Sequence, residues 1–316
     1  MIVTLTLNPA VDKTIEIDSF QINHVNRVSS ARLDAGGKGI NVSKGVHTLG
    51  EKSKAMGILA GKSGQFIKEQ LDILKIDNDF LFVGGETRTN IKVVDRINHS
   101  NTDINEKGPD IAEPDLAEVI CKTLEAVHDG DILVLSGSVP SNIDSNIYGV
   151  LIARAKEKGV KTILDADGAL LKQGIKAGPY LVKPNIYELE RLYNTQITSK
   201  EKAIEVAMDI FAYGVELIVI SLGEEGSILM TKEETVIVEG IEVDVISTVG
   251  AGDSMVAALA VAIHRDYPLE KAIRLATATS AASVMTSGTE TGEMNVIEQL
   301  EKKVKLISYD NREVVK

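Results

Sequence analysis

From about residue 114 onward the chain alternates amphipathic stretches with short, nearly unbroken apolar runs: Ile132-Leu133-Val134-Leu135, Thr162-Ile163-Leu164, Tyr180-Leu181-Val182 and Leu217-Ile218-Val219-Ile220. A strand without polar alternation has to be covered on both faces, and a parallel sheet flanked by its own crossover helices does this. The fold class is therefore α/β, with a mainly parallel sheet between helical layers. Pro114 suits the first turn of a helix whose apolar positions are Leu116, Val119, Ile120, Leu124 and Val127. Later helices stop near Gly159 and Gly214, as glycine readily takes the left-handed conformation that ends a last turn.

Two early stretches, residues 11–33 and 86–106, break this rhythm. In the second, residues 87–97 and 102–104 flank Asn98-His99-Ser100-Asn101 and read as a hairpin. Strands with no helix between them do not enter a doubly wound sheet readily, so a small separate sheet covering one end of the core is expected. Alternation along its strand puts Arg88, Asn90 and Lys92 on one face and Thr89, Ile91 and Val93 on the other. With Lys38 and Arg27 these cations could neutralise a phosphate, Arg88 offering a planar fork of donors. The plainer reading is the solvated face of an edge strand.

A length of 316 residues allows one large unit with a smaller appendage. The 46 acidic and 34 basic side chains give a formal charge of −12, a field that repels nucleic acid and anionic membrane surfaces. Cys121 is the only cysteine, so no intrachain disulfide can form, and its neighbours Ile120 and Leu124 suggest a buried thiol. No segment approaches the roughly 20 apolar residues of a membrane span. The opening run Ile2-Val3-Thr4-Leu5 has no basic lead and reads as a strand, so a cytoplasmic protein is expected.

The segment richest in chemistry is Ser247-Thr248-Val249-Gly250-Ala251-Gly252-Asp253-Ser254, ahead of a helical run. A Gly-Ala-Gly turn feeding a helix presents free amide N–H groups at the positive end of the helix dipole, which suits a phosphoryl group gaining charge in a transition state. Asp253 beside it can accept the proton of an attacking hydroxyl. The plainer alternative is a tight turn with Asp253 as a helix-terminal charge. Ala35-Gly36-Gly37-Lys38-Gly39-Ile40-Asn41-Val42-Ser43 is a second glycine-rich helix entry, with Lys38 and Asn41 placed for a polar ligand or simply solvated. Gly57-Ile58-Leu59-Ala60-Gly61-Lys62-Ser63 imitates a P-loop but is one residue short between its glycines. The third glycine of a dinucleotide fingerprint is missing after Gly252, and the histidines show no metal-ligand spacing.

These two glycine-rich segments resemble the two signatures of the ribokinase-like (PfkB) sugar kinases. Residues 6–12, 135–140, 182–188 and 221–226 also resemble family blocks, in the family's order and nearly end to end. The likeness is strongest to the phosphosugar branch. It implies a ribokinase-like three-layer core (residues 1–10, 34–85 and 107–316) with a small β-sheet lid (11–33 and 86–106) that also serves homodimerisation. By the same resemblance Asp253 is the base, and Gly250, Ala251 and Gly252 form the anion hole. Asp12, Gly37, Lys38, Gly39, Asn41, Ser136 and Gly137 belong to the sugar side, with Arg88, Asn90, Lys92 and Arg27 toward its phosphate. Lys183, Asn185, Glu188, Ser221, Gly223, Gly226, Thr248, Thr277 and Ser280 belong to the nucleotide side. Asn185 and Glu188 would organise Mg²⁺ through water.

The implied reaction uses ATP and a ketohexose phosphate. Fructose 1-phosphate is the preferred acceptor, with tagatose 6-phosphate, or fructose 6-phosphate, as the alternative. A non-catalytic sugar-phosphate sensor is the reading from another class, against which the intact Asp253 stands. The chain departs from the pattern at Asp165-Ala166-Asp167-Gly168, where Asp-x-Ser-Gly is usual, and at Ala257-Ala258, where a glycine is common.

Overall fold

The apolar runs become strands whose alternate side chains enter different cores. Leu133 and Leu135 join one apolar cluster while Ile132 and Val134 join another, and Ile218 and Ile220 are likewise separated from Leu217 and Val219. The computed structural model describes residues 1–98 and 100–309. The first part of the chain gives β1 (Ile2–Thr6), β2 (Ala10–Ile17), β3 (Ser30–Gly36), α1 (Lys38–Thr48), β4 (Ser53–Ala60), α2 (Gly61–Ile73) and β5 (Asp77–Val83). Then come β6 (Arg88–Asp95), β7 (Ser100–Asn105), α3 (Glu113–Glu125), β8 (Ile132–Ser136), α4 (Ile147–Glu157), β9 (Lys161–Asp165), α5 (Gly168–Lys176) and β10 (Leu181–Val182). The remainder gives α6 (Ile186–Tyr193), α7 (Lys200–Met208), β11 (Leu217–Ser221), β12 (Gly226–Met230), β13 (Thr235–Glu239), α8 (Ala251–His264), α9 (Leu269–Val284), α10 (Met294–Glu301) and β14 (Leu306–Tyr309).

Ten strands form one sheet in the order β14-β13-β12-β11-β10-β9-β8-β1-β4-β5. It is parallel from β5 to β11 and antiparallel from β11 to β14. The cluster holding α3, α4, α5 and α7 residues covers one face, and the cluster holding those of α1, α8, α9 and α10 covers the other. Thr6, Ser136 and Asp165 end three adjacent strands at the carboxyl edge, where open α/β sheets place their ligands. The ladder of β9 includes Lys161 and Asp165 on either side of the expected 162–164 core, which brings Asp165 to that edge.

The early irregular stretches form a second sheet in the order β3-β2-β6-β7. β6 and β7 are an antiparallel pair; His99 of the expected turn lies outside the described residues. β3 continues past residue 33 because Ala35 and Gly36 still pair with Val11 and Ala10, carrying the small sheet directly into α1. One expectation is corrected: Cys121 is exposed, not buried. The covered side of α3 carries Val119 and Thr123, and a residue two positions from each faces away. The thiol donates to Glu125 Oε1 at 3.3 Å.

Candidate active site

A cleft of about 440 Å³ opens where the carboxyl edge of the large sheet meets the small one. Thr6, Lys38, Ser136 and Gly137 line its floor, Arg88, Asn90 and Asn105 come from the small sheet, and Asp167 and Glu188 close the far side. A more open hollow of about 570 Å³ shares Arg88 and includes Gly84, Glu86 and Lys107. Its acidic lining residues Glu86, Glu106 and Asp110 are all exposed, and Glu86 already caps the first turn of α2, so the first cleft is the better candidate for chemistry.

Asp253 lies in the first turn of α8 and is 7% exposed. It is not part of the cleft lining but is joined to it through α1: Asn41 Nδ2 donates to its Oδ2 at 2.8 Å, three residues on from Lys38. The two helices come close because Gly45 faces Ala257, where a Cβ would lie 2.6 Å from the alanine methyl carbon. The small residue demanded at this crossing is thus on α1, which accommodates the departure at Ala257. Burial pushes the Asp253 carboxyl up to about 6; Lys38 opposes the shift, Asp165 adds to it, and Asn41 and Lys183 oppose it. A carboxylate poised there is matched to taking a proton near neutrality.

Gly250 is the N-cap of α8 at φ +85°, and no side chain caps the helix. Its Cβ would meet Thr289 Cα at 3.1 Å, so both conformation and space ask for glycine. The first-turn amides have no intrahelical acceptor, and the dipole favours an anion before them. Lys183 Nζ lies 3.4 Å from where a Cβ on Gly252 would be. A cation and uncapped amides therefore meet at the helix entry.

The floor is governed by Asp165, 1% exposed. Its Oδ2 accepts from Lys38 Nζ at 3.2 Å and Ser136 Oγ at 3.3 Å, and Lys183 Nζ is 3.3 Å from Oδ1. Burial alone would raise this carboxyl, but Lys183 and Lys38 outweigh it and hold it at about 2. Burial likewise works against the Lys38 charge, and Asp165, Asp253 and Glu188 reverse the effect and raise its pKa. The half-buried cleft is thus a set of compensated charges inside an acidic chain.

Between β2 and β6 of the small sheet, Asn90 Nδ2 donates to Asp12 Oδ1 at 2.9 Å. Burial raises the Asp12 carboxyl, against the Asn90 bond and the Lys44 and Arg88 charges. A Cβ on Gly36 would lie 2.0 Å from Asp12 Oδ2. Arg88 braces the cleft wall: its guanidinium donates to Asn8 O at 3.0 Å, Glu106 O at 3.1 Å and Ser138 Oγ at 3.4 Å. Gly37 and Gly39 do permit a close approach, but to the chain itself. Their Cβ atoms would meet Thr6 Cγ2 at 2.9 Å and Thr6 Oγ1 at 2.4 Å.

Asn185 and Glu188 form a reciprocal capping box: Asn185 Oδ1 accepts from Glu188 N at 2.9 Å, and Glu188 Oε2 accepts from Asn185 N at 2.8 Å. Asn185 thereby aims α6, and Glu188 is the member that lines the cleft. Burial raises the Glu188 carboxyl, Asp165 adding to the shift while the Asn185 amide and both lysines oppose it. The extra carboxylate Asp167 also lines the cleft, caps α5 and takes two 2.8 Å contacts from Arg191 Nη2.

Several predicted residues are not gathered here. Arg27 is exposed on the segment before β3, and Lys92 sits further along β6, paired in register with Thr14 and Asp103. Neither lines the cleft. Residues 221–226 turn into the antiparallel β11–β12 hairpin, and Gly226 serves packing, since its Cβ would lie 2.1 Å from Val238 O. Gly223 is exposed in that turn, whereas Ser221 ends β11 bridged to Asn185 and so does reach the α6 entry. Thr248 is exposed ahead of α8 and Ser280 is half-buried on α9, whereas Thr277 is buried against Ser227, its hydroxyl 3.3 Å away. Asn8, Asn105, Ser138 and Asp165 carry site geometry without having been singled out. Asn8 and Ser138 stand inside family-like blocks, a usable signal, while Asn105 is recognisable only from strand pairing.

The model of the pfkB family carbohydrate kinases matches residues 5–295. A 1-phosphofructokinase of Borreliella burgdorferi is 36% identical over 90% of this chain and 92% of its own length. A tagatose-6-phosphate kinase of Staphylococcus epidermidis is 35% identical over 93% and 95% respectively. The crystal structure of phosphofructokinase-2 from Escherichia coli in complex with potassium superposes with a TM-score of 0.91 at 27% identity, over 96% of this chain and 98% of that one. With the fold, the uncapped glycine entry and the buried carboxylate agreeing, the chain belongs to the pfkB family of carbohydrate kinases.

Proposed function

We propose that this chain transfers the γ-phosphoryl group of ATP to fructose 1-phosphate, yielding fructose 1,6-bisphosphate and ADP. The observation that carries the reading is the placement of Asp253: nearly buried, poised near neutrality, and in the first turn of an uncapped helix beside Lys183. Asp253 takes the proton of the acceptor hydroxyl as its oxygen bonds to the γ-phosphorus. The bond from that phosphorus to the bridging oxygen breaks, and ADP leaves with the electron pair. The amides of Gly250, Ala251 and Gly252 hold the migrating group. Asp12 and Asn90 face the sugar hydroxyls, and Arg88 and Lys38 its phosphate, under the small sheet as a lid.

Among the described residues no group of three His, Cys, Asp or Glu side chains converges as a metal cage. One or two carboxylates in a cleft fit Mg²⁺, which keeps its water and is bound largely through substrate phosphates. Glu188, set by Asn185, would hold it through water, where it would neutralise charge on the nucleotide phosphates. Exposed Val25, Leu33 and Ile104 on the small sheet and its loop support a homodimer through that face, and the exposed Cys121 thiol suits a reducing cytoplasm. Tagatose 6-phosphate is the second acceptor, favoured by the near-equal likeness to the staphylococcal tagatose-6-phosphate kinase. The test is coupled ADP release with magnesium and fructose 1-phosphate, fructose 6-phosphate or tagatose 6-phosphate. Turnover should be highest on fructose 1-phosphate, and Asp253→Asn should lower kcat on the order of 10²–10⁴-fold. No turnover on all three would favour a sensor, and unchanged kcat would remove Asp253 from the chemistry.

A further inference from the structure

The kinase reading uses Lys38 from the acceptor side and Lys183 from the nucleotide side, and one carboxylate joins them. Lys38 opens α1 and Lys183 follows β10, so nothing in the local chain relates the two ammonium groups. Asp165 binds one through each oxygen, 3.2 Å to Lys38 and 3.3 Å to Lys183, while Ser136 Oγ steadies Oδ2. It ends the strand beside β8, near the middle of the sheet. We infer that Asp165 is a positioning residue that holds Lys38 and Lys183 on the two sides of the phosphoryl path and sets the field in which Asp253 works. This deepens the kinase reading and rests on it.

Fold stability alone gives little reason for such an arrangement, because well-packed apolar residues serve a buried site as well as an ion triad or better. The charge count supplies one. The triad alone carries one net positive charge, set beside the carboxyl groups of Glu188 and Asp253, where an anionic group must pass. The same carboxylate keeps the lysines from driving Asp253 to the pKa of an exposed acid. The groups facing Asp165 are Lys38 from α1, Ser136 from β8, Lys183 after β10, Glu188 from α6 and Asp253 from α8. Tyr148 of α4 is also near, its hydroxyl bonded to Gly137 O at 3.1 Å and its ionisation opposed by burial and by Asp165. Those facing Asp253 are Lys38 and Asn41 of α1, Asp165 and Lys183.

Asp165→Asn keeps the shape and removes the charge. Both lysines then repel each other and act unbalanced on Asp253, so kcat should fall on the order of 10²-fold through misplacement. The acid limb of the kcat–pH profile should move to lower pH by about one unit. Asp165→Glu should restore the position of that limb while kcat stays reduced, a recovery that a purely structural role would not produce. A folded Asp165→Asn enzyme with its acid limb unmoved, or with kcat within about threefold of the parent, would overturn the assignment. If that variant does not fold, ¹³C carboxyl NMR on the unmodified protein decides. Asp165 should stay ionised through about pH 3 while Asp253 titrates near 6, and titration of Asp165 at or above the ordinary carboxylate value of about 3.9 would refute it. Because the NMR readout needs no turnover, failure of the phosphosugar panel would sink the kinase reading without deciding the role of Asp165.

Discussion

Replacing Asp253 by asparagine should lower kcat on the order of 10²–10⁴-fold and stabilise the fold, with a pH dependence fixed by burial. The folded-state pKa is raised from 3.8 to about 6, so the native state holds this proton more tightly than the unfolded chain does. Below 3.8 the group is protonated in both states and costs nothing. As pH rises through the interval the unfolded chain ionises first, and native stability falls until both states are ionised above 6. About two pKa units at 1.36 kcal/mol each make this penalty on the order of 3 kcal/mol at pH 8. Asparagine never ionises, and its carbonyl oxygen can still accept from Asn41 Nδ2. The variant should therefore gain roughly 2–3 kcal/mol over the parent in urea unfolding at pH 8, and under about 1 kcal/mol at pH 4. A gain independent of pH, or a variant less stable at pH 8, would show that the carboxyl is not held against its own charge.

Two further substitutions probe the same geometry. The Asn41 amide stabilises the ionised form of Asp253, so Asn41→Ala should move the acid limb of the kcat–pH profile above 6 by about one unit; a limb that stays or moves down contradicts the bond. A Cβ at position 36 would lie 2.0 Å from Asp12 Oδ2. Gly36→Ala should push that flexible carboxylate off Asn90 and raise KM for the phosphosugar about tenfold with little change in kcat, and an unchanged KM would place Asp12 outside the sugar site.

What was legible in the chain follows the range of the physics. Strands 132–136 and 217–221 announce themselves because a sheet covered on both faces leaves apolar side chains on both sides of each strand. The hairpin shows because polar turn residues interrupt a β-rich segment. Helix entries at Lys38 and Ala251 are visible as glycine-rich segments, though what their glycines approach is not. Gly37 and Gly39 make room for Thr6, and Gly45 makes room for Ala257; each partner belongs to a different element. Residues 221–226 close a hairpin whose first residue bridges to Asn185, and a tight turn and a phosphate cradle ask for the same small residues, so the local pattern does not separate the two.

Charge compensation is the property least visible in sequence. Asp165 reads as part of a departing motif, and its two lysines stand 127 residues before it and 18 after it in the chain. Local patterning cannot assign a buried carboxylate to partners that only the sheet order brings within 3.3 Å. Yet this is where stability and function part most clearly. An apolar trio could fill the same volume without desolvating three charges. Such a trio could neither offer net positive charge to a moving phosphoryl group nor let Asp253 lose its proton near neutrality. The expense of keeping ions buried at the carboxyl edge is therefore best understood as preorganisation: the dipoles and charges are already oriented before substrate arrives, so little reorganisation remains for the transfer step itself.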